Sequence, residues 1–233
     1  MDIATARPKV NIDSLIELSL SLRFTEEHNG SQGKSNANGE RMNSTRLEAF
    51  SDGVIAIIIT IMVLELKVPH GETADALEPL IPNFLSYVLS FIYVGIYWNN
   101  HHHMLHTVEK VSGRILWANL HLLFWLSLFP ITTAWIGENH LAAMPSALYG
   151  VVLLMASLAY WILQQLIIAS QGPDSLLKRA IGGDWKGKAS PVLYSIGIAA
   201  AFRSPPLAQG LYLLVALMWF VPDRRIASVL VHK

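Results

Sequence analysis

Cysteine is absent from the 233 residues. That excludes a disulfide framework, thiolate-bound metal and a cysteine nucleophile, and it leaves the compartment open. Charge is scarce as well: Asp, Glu, Lys and Arg make up 15% of the chain, against roughly 25% in a soluble globular domain. The seventeen basic and seventeen acidic residues cancel, so there is no basic face for nucleic acid and no such partner is expected. No P-loop occurs, which removes ATP-driven transport, and no GxSxG or HExxH supports an intramembrane hydrolase. Neither a TVGYG filter nor a helix with arginine at every third position is found, so the usual potassium-channel and voltage-sensor designs are missing. Inverted repeats with Gly- or Pro-broken helices, common in secondary transporters, are not visible.

Apolar residues fill the space these absences leave, at 52% of the chain with a mean hydropathy of +0.39. Such a surplus has no place in water, and the composition predicts an all-α integral membrane protein. Residues 1–41 differ from the rest. They are rich in Asn, Ser, Gly, Lys and Glu and read as a disordered polar arm preceding a transmembrane domain over 42–233. Met42, four residues before Arg46, is a candidate start, which would make the arm dispensable.

Measured against the roughly 20 residues that cross a bilayer, six apolar spans follow. They cover about 47–66, 84–104, 115–136, 147–169, 190–202 and 207–221. The last two are short, and Arg203-Ser204-Pro205-Pro206 between them predicts a tight helical hairpin, because neither proline continues a helix. Pro130 predicts a kink in the third span. With a cytoplasmic N-terminus, fifteen of the seventeen Lys and Arg residues fall inside and only Lys67 and Arg203 outside. Both termini are therefore expected in the cytoplasm. Trp98, Trp117, Trp135, Trp185 and Trp219 lie near span ends, where interfacial anchors belong.

The first span carries polar groups that lipid does not tolerate: Arg46, Glu48, Ser51 and Asp52 precede a clean apolar run to Leu64. Asp52 at headgroup depth could be solvated. Alternatively, it belongs to a buried polar knot, and His102 and Asn119, at the same depth in the second and third spans, favour that reading. Gly53, Ile57, Thr60, Ile61 and Leu64 share another stripe, which pattern alone leaves as lipid-facing or pore-facing. His102 and His106 stand four apart, a metal-ligand spacing, yet no carboxylate neighbours them in sequence. No metal and no cofactor are expected there. Spans four to six, nearly bare of polar residues, read as a supporting layer. An oligomeric channel, a proton-coupled transporter and a non-conducting assembly protein remain open on these residues alone.

Arg46 followed by Phe50-Ser51-Asp52 at a span start resembles the hallmark of the transmembrane protein 175 family of potassium channels. The likeness continues through Ala56-Ile57, Thr60 and Leu64-Glu65, then Trp98 with its Asn-His-His run, Asn119, Ser127 and Pro130. It implies a homotetramer in the cell membrane whose first helices line a potassium pore, with one six-span repeat per chain. Ile57 would be the constriction, Thr60 a hydroxyl layer, and Ile61 and Leu64 further lining. Arg46, Phe50, Ser51, Asp52, His102 and Asn119 would form the structural polar network. Which of His101, His102 and His103 joins that network is left open by the run of three.

Overall fold

The structure, a computed structural model, describes residues 44–108, 110–172 and 175–220, and among these every regular element is helical. The expected polar arm over 1–41 lies outside the described residues. Helix α1, Ser44–Leu64, is followed by an irregular stretch and a single 3-10 helix, Ala74–Leu80. That short helix runs directly into α2, Ile81–Leu105, with Pro82 in the first turn, where its missing N–H costs nothing.

Ser112 caps α3, Gly113–Leu126, by accepting from the Ile115 amide. The expected kink falls three residues before its proline. Pro130 cannot donate to the Leu126 carbonyl, so the helix breaks at Ser127 and Leu128 and resumes as α4, Phe129–Glu138, with Pro130 in its first turn. The 29-residue α5, Ala143–Gln171, ends at Gly172, whose φ of 82° suits glycine. A short α6, Leu176–Ile181, is capped by Ser175. Helix α7, Trp185–Ala201, is capped by Asp184, whose carboxylate accepts from the Gly187 amide. Helix α8, Pro205–Phe220, follows a three-residue reversal over 202–204 and packs against α7.

Four stretches are long and apolar enough to cross a membrane: Ser44–Leu64, Ala74–Leu105, Gly113–Glu138 and Ala143–Gln171. At ~1.5 Å per residue the 21 residues of α1 span about 30 Å, one hydrocarbon core. Helices α7 and α8, with 17 and 16 residues, are shorter than that thickness among the described residues.

Far from being peripheral, α5 is the hub of the protomer, packed against α3, α4, α7 and α8. Small residues on its inner face, Ala147, Gly150, Ala156 and Ala159, let its neighbours come close. Gly150 and Gly197 leave room for the ring of Tyr212, which a methyl group at either position would overlap. Tyr93, Tyr149, Tyr194 and Tyr212 form a buried aromatic cluster. Three of their hydroxyls are satisfied locally: Tyr93 donates to the Tyr212 carbonyl, Tyr212 to the Ser146 carbonyl at 3.2 Å, and Tyr149 meets Ser90 at 3.0 Å. Packing of this kind holds a helical bundle together in lipid, where apolar side chains gain little by leaving the bilayer.

Candidate functional site: the first helix and its polar anchor

Helix α1 has two contrasting faces. Leu47, Ser51, Ile55, Ile58 and Met62, spaced by three and four, are buried against the protomer core. On the opposite side Phe50, Ile57, Ile61 and Leu64 stand 53%, 59%, 41% and 76% exposed, with Gly53 and Thr60 between them. The Thr60 hydroxyl donates to the Ala56 carbonyl one turn back at 2.8 Å, which settles its proton and leaves its lone pairs on the exposed side.

The buried face is anchored by a directional chain of hydrogen bonds through three helices. Ser51 Oγ donates to the Leu47 carbonyl at 2.8 Å, Asn119 Nδ2 of α3 donates to Ser51 Oγ at 2.9 Å, and Asn119 Oδ1 lies 2.6 Å from His101 Nε2 of α2. Because the amide oxygen only accepts, this arrangement assigns the His101 proton to Nε2. Ser51, Asn119 and His101 are all fully enclosed. His101 Nδ1 has no hydrogen-bond partner among the described residues.

A second layer lies nearer the surface. Trp98 Nε1 donates to Asp52 Oδ1 at 3.0 Å, and the Trp98 ring stacks on His102 at 5.9 Å between centroids. Glu48 Oε1 lies 2.8 Å from His102 Nδ1 and 3.2 Å from His106 Nε2. Arg46 is exposed and pairs with no acidic side chain among the described residues. Phe50 likewise points away from the protomer core.

Of the expected network, then, the fold brings Ser51 to Asn119 and Asp52 to Trp98, and it sets His102 beside Glu48 instead of Asn119. His101 is the histidine that reaches Asn119. Its place was readable: Tyr93, Tyr97, His101 and Met104/Leu105 follow one helical stripe, all buried, while His102 lies off it. In sequence the run of three leaves His101, His102 and His103 open as the network histidine; Glu48 and Trp98 were not among the expected network residues. Trp98 looked like an interfacial anchor, since its partner is 46 residues away in sequence.

Comparison with known proteins finds channels, some named for potassium and others for protons. One of the latter, of Gallus gallus, is 33% identical over 104 residues, covering 40% of this chain and 21% of its own. Residues 46–130 match the family model described as endosomal/lysosomal potassium channel TMEM175. A protein of Chryseobacterium sp. named a potassium channel is 59% identical over 189 residues, covering 81% of this chain and 98% of its own. One of Streptomyces collinus, also named a potassium channel, is 31% identical over 209 residues, covering 79% and 98%. The crystal structure of a lysosomal potassium-selective channel TMEM175 homolog from Chamaesiphon minutus superposes with a TM-score of 0.68 at 26% identity, covering 78% of this chain and 98% of that one.

Proposed function

The chain belongs to the TMEM175 family, and from that membership we propose that it is a potassium-permeable, cation-selective channel, a homotetramer with α1 lining the central axis. The family and its relatives are channels and not enzymes. The observation that supports the pore assignment is the exposed stripe of α1. A helix that buries serine and displays isoleucine and leucine needs either lipid or copies of itself against that stripe, and four copies around an axis satisfy it with one residue type per ring.

Ile57 makes the narrowest collar in this reading. Apolar side chains around a narrow axis expel water, so a cation meets a desolvation barrier until the helices separate or rotate. Potassium, more weakly hydrated than sodium, pays less at that barrier, which gives preference without a carbonyl cage. Thr60, one turn further, offers an oxygen to a partly dehydrated ion, and Ile61 and Leu64 continue the lining. The polar layer of Ser51, Asp52, His101 and Asn119 holds the helix from behind and takes no part in permeation. Arg46, Phe50 and His102 flank it at the same end.

The finer topology follows the charge count: six spans, with α7 and α8 as a closing hairpin, both termini cytoplasmic and the protein in the cell membrane. Potassium is the permeant ion, and no cofactor is required. The test is purified protein in potassium-loaded liposomes, with flux compared in potassium, caesium and sodium and single-channel steps sought in planar bilayers. Flux strictly coupled to a proton gradient, or no flux at all, would replace the channel by a transporter or an assembly protein.

A further inference from the structure

We propose that Glu48, His102 and His106 form a binding site for a divalent transition-metal cation of the zinc class, joining α1 to the C-terminal end of α2. One carboxylate oxygen and two imidazoles converge with their ligand atoms all within 4.8 Å of one another. Glu48 Oε1 is 2.8 Å from His102 Nδ1 and 3.2 Å from His106 Nε2, and the two histidine Nε2 atoms are 3.0 Å apart. The contact between Glu48 and His102 is close but not aligned as a hydrogen bond. Both Glu48 Oε1 and His102 Nδ1 are enclosed and lack a hydrogen-bond partner. Two enclosed polar atoms that close to one another without an aligned hydrogen bond are costly, and a cation between them removes the cost.

The dimensions suit a small ion. Zinc bonds nitrogen and oxygen at about 2.0–2.2 Å, which places tetrahedral ligands about 3.3 Å apart. With His102 binding through Nδ1, its 2.8 Å and His106's 3.2 Å separations from Glu48 Oε1 need to open by only a few tenths of an ångström, and the two imidazole ligand atoms lie within 4.8 Å of one another. One ring nitrogen of His102 would serve, the other remaining free. His102 and His106 are partly open to solvent, with side chains 35% and 50% exposed, so the ion has an entry path and water can fill the fourth position. Two imidazoles and one carboxylate select zinc-like ions over magnesium and calcium, which require oxygen ligands. The ligand spacing along α2 was visible in the sequence. The carboxylate was not, because Glu48 comes from another helix. Trp98 supports the cluster as an outer layer, stacked on His102 while its indole N–H is held by Asp52.

The experiment uses the full chain in detergent with any affinity tag removed, titrated with zinc against a chelating dye. The expected result is one tight zinc per protomer, a thermal midpoint raised by zinc but not by equal magnesium, and tetrahedral d–d absorption when cobalt(II) replaces zinc. His106→Gln, at an exposed position that should not disturb folding, should weaken zinc binding about tenfold or more, since even outer-layer changes cost 10- to 100-fold. Glu48→Gln should act in the same direction, and His70→Gln, at an exposed loop position, should not. Zinc binding by His106→Gln equal to that of the parent, or no zinc binding by the parent, would overturn the site. Neither readout depends on ion flux, so failure here is distinguishable from failure of the channel reading.

Discussion

Replacing Asn119 tests the anchor of α1 most directly. Asn119 accepts from His101 Nε2 and donates to Ser51 Oγ, and all three residues have no exposed surface. Asn119→Leu keeps the heavy-atom count and branching of the side chain, so it opens no cavity, although its methyl groups are bulkier than the amide and add some packing strain. It strips His101 of its acceptor and Ser51 of a donor, although Ser51 still donates to the Leu47 carbonyl. An enclosed donor left without a partner costs about 1–3 kcal/mol, whereas interhelical hydrogen bonds in membrane proteins average only about 0.6 kcal/mol because the separated helices find other partners. The site is interior to the protein, so a loss of about 2 kcal/mol is expected. The second half of the test is His101→Phe, alone and combined with Asn119→Leu. Removing both partners should cost less than the two single losses added together, with a coupling of about 0.5–3 kcal/mol for residues in one network. Unfolding midpoints of the four proteins in one detergent supply the cycle. Additive losses, or an Asn119→Leu protein as stable as the parent, would refute the anchor.

The remaining expectations concern the exposed face and the outer polar layer. Ile57→Asn should assemble normally, the side chain being 59% exposed in the protomer, and should raise leak current and loosen cation discrimination; parental conductance and selectivity would place this stripe against lipid. Ile57→Met, longer and flexible, should reduce flux in the same liposomes. Thr60→Val removes the one hydroxyl on that stretch at constant shape and should change the potassium-to-sodium permeability ratio, so equal ratios within error would count against a threonine layer. Asp52→Ala should cost stability rather than selectivity, by about 0.5–1.5 kcal/mol: its partner is the neutral, partly exposed Trp98 indole and not a buried arginine. Asp52→Asn, which still accepts from Trp98, should recover most of that loss in a thermal-unfolding comparison.

What the sequence disclosed depended on whether the deciding neighbour was local. Pro130 broke the third span as a residue without an N–H must, and Pro205-Pro206 opened α8 for the same reason. Ser51 could be recognised as inward-facing because it lies in register with Leu47, Ile55 and Ile58. His102 drew attention through its spacing to His106, while the stripe through Tyr97 and His101 carried the better signal. Glu48 and Trp98 found their partners 54 and 46 residues away, beyond any local pattern. The hub position of α5 was concealed for a different reason. In a membrane protein an apolar helix surface facing lipid and one facing other helices use similar residues, so periodicity did not separate them. Only the small residues Ala147, Gly150, Ala156 and Ala159 hinted at close helix contact.

The distribution of forces along α1 bears on how a gate of this design opens. The polar side-chain contacts of α1 with α2 and α3 described above come from Glu48, Ser51 and Asp52, within its first nine residues. Beyond them the helix is held by Ile55, Ile58 and Met62 through non-directional packing. Packing tolerates small sliding and rotation where a hydrogen-bond chain does not. In the proposed channel, this makes the polar end of the helix the pivot and its apolar end the part that would move. With a rise of ~1.5 Å per residue, Ile57 lies about 9 Å and Leu64 about 20 Å from the Ser51 pivot. A tilt of about 10° then moves Leu64 by roughly 3 Å and Ile57 by roughly half that. In the proposed tetramer that motion, repeated by symmetry in four helices, widens a dry isoleucine collar by about twice the displacement of one helix, which is the scale of a water molecule. In the proposed tetramer, a polar anchor on the core-facing side and an apolar lining on the exposed side would serve assembly and gating respectively. This division also explains why substitutions at Ile57 should alter conduction with the fold intact, while those at Asn119 should alter the fold.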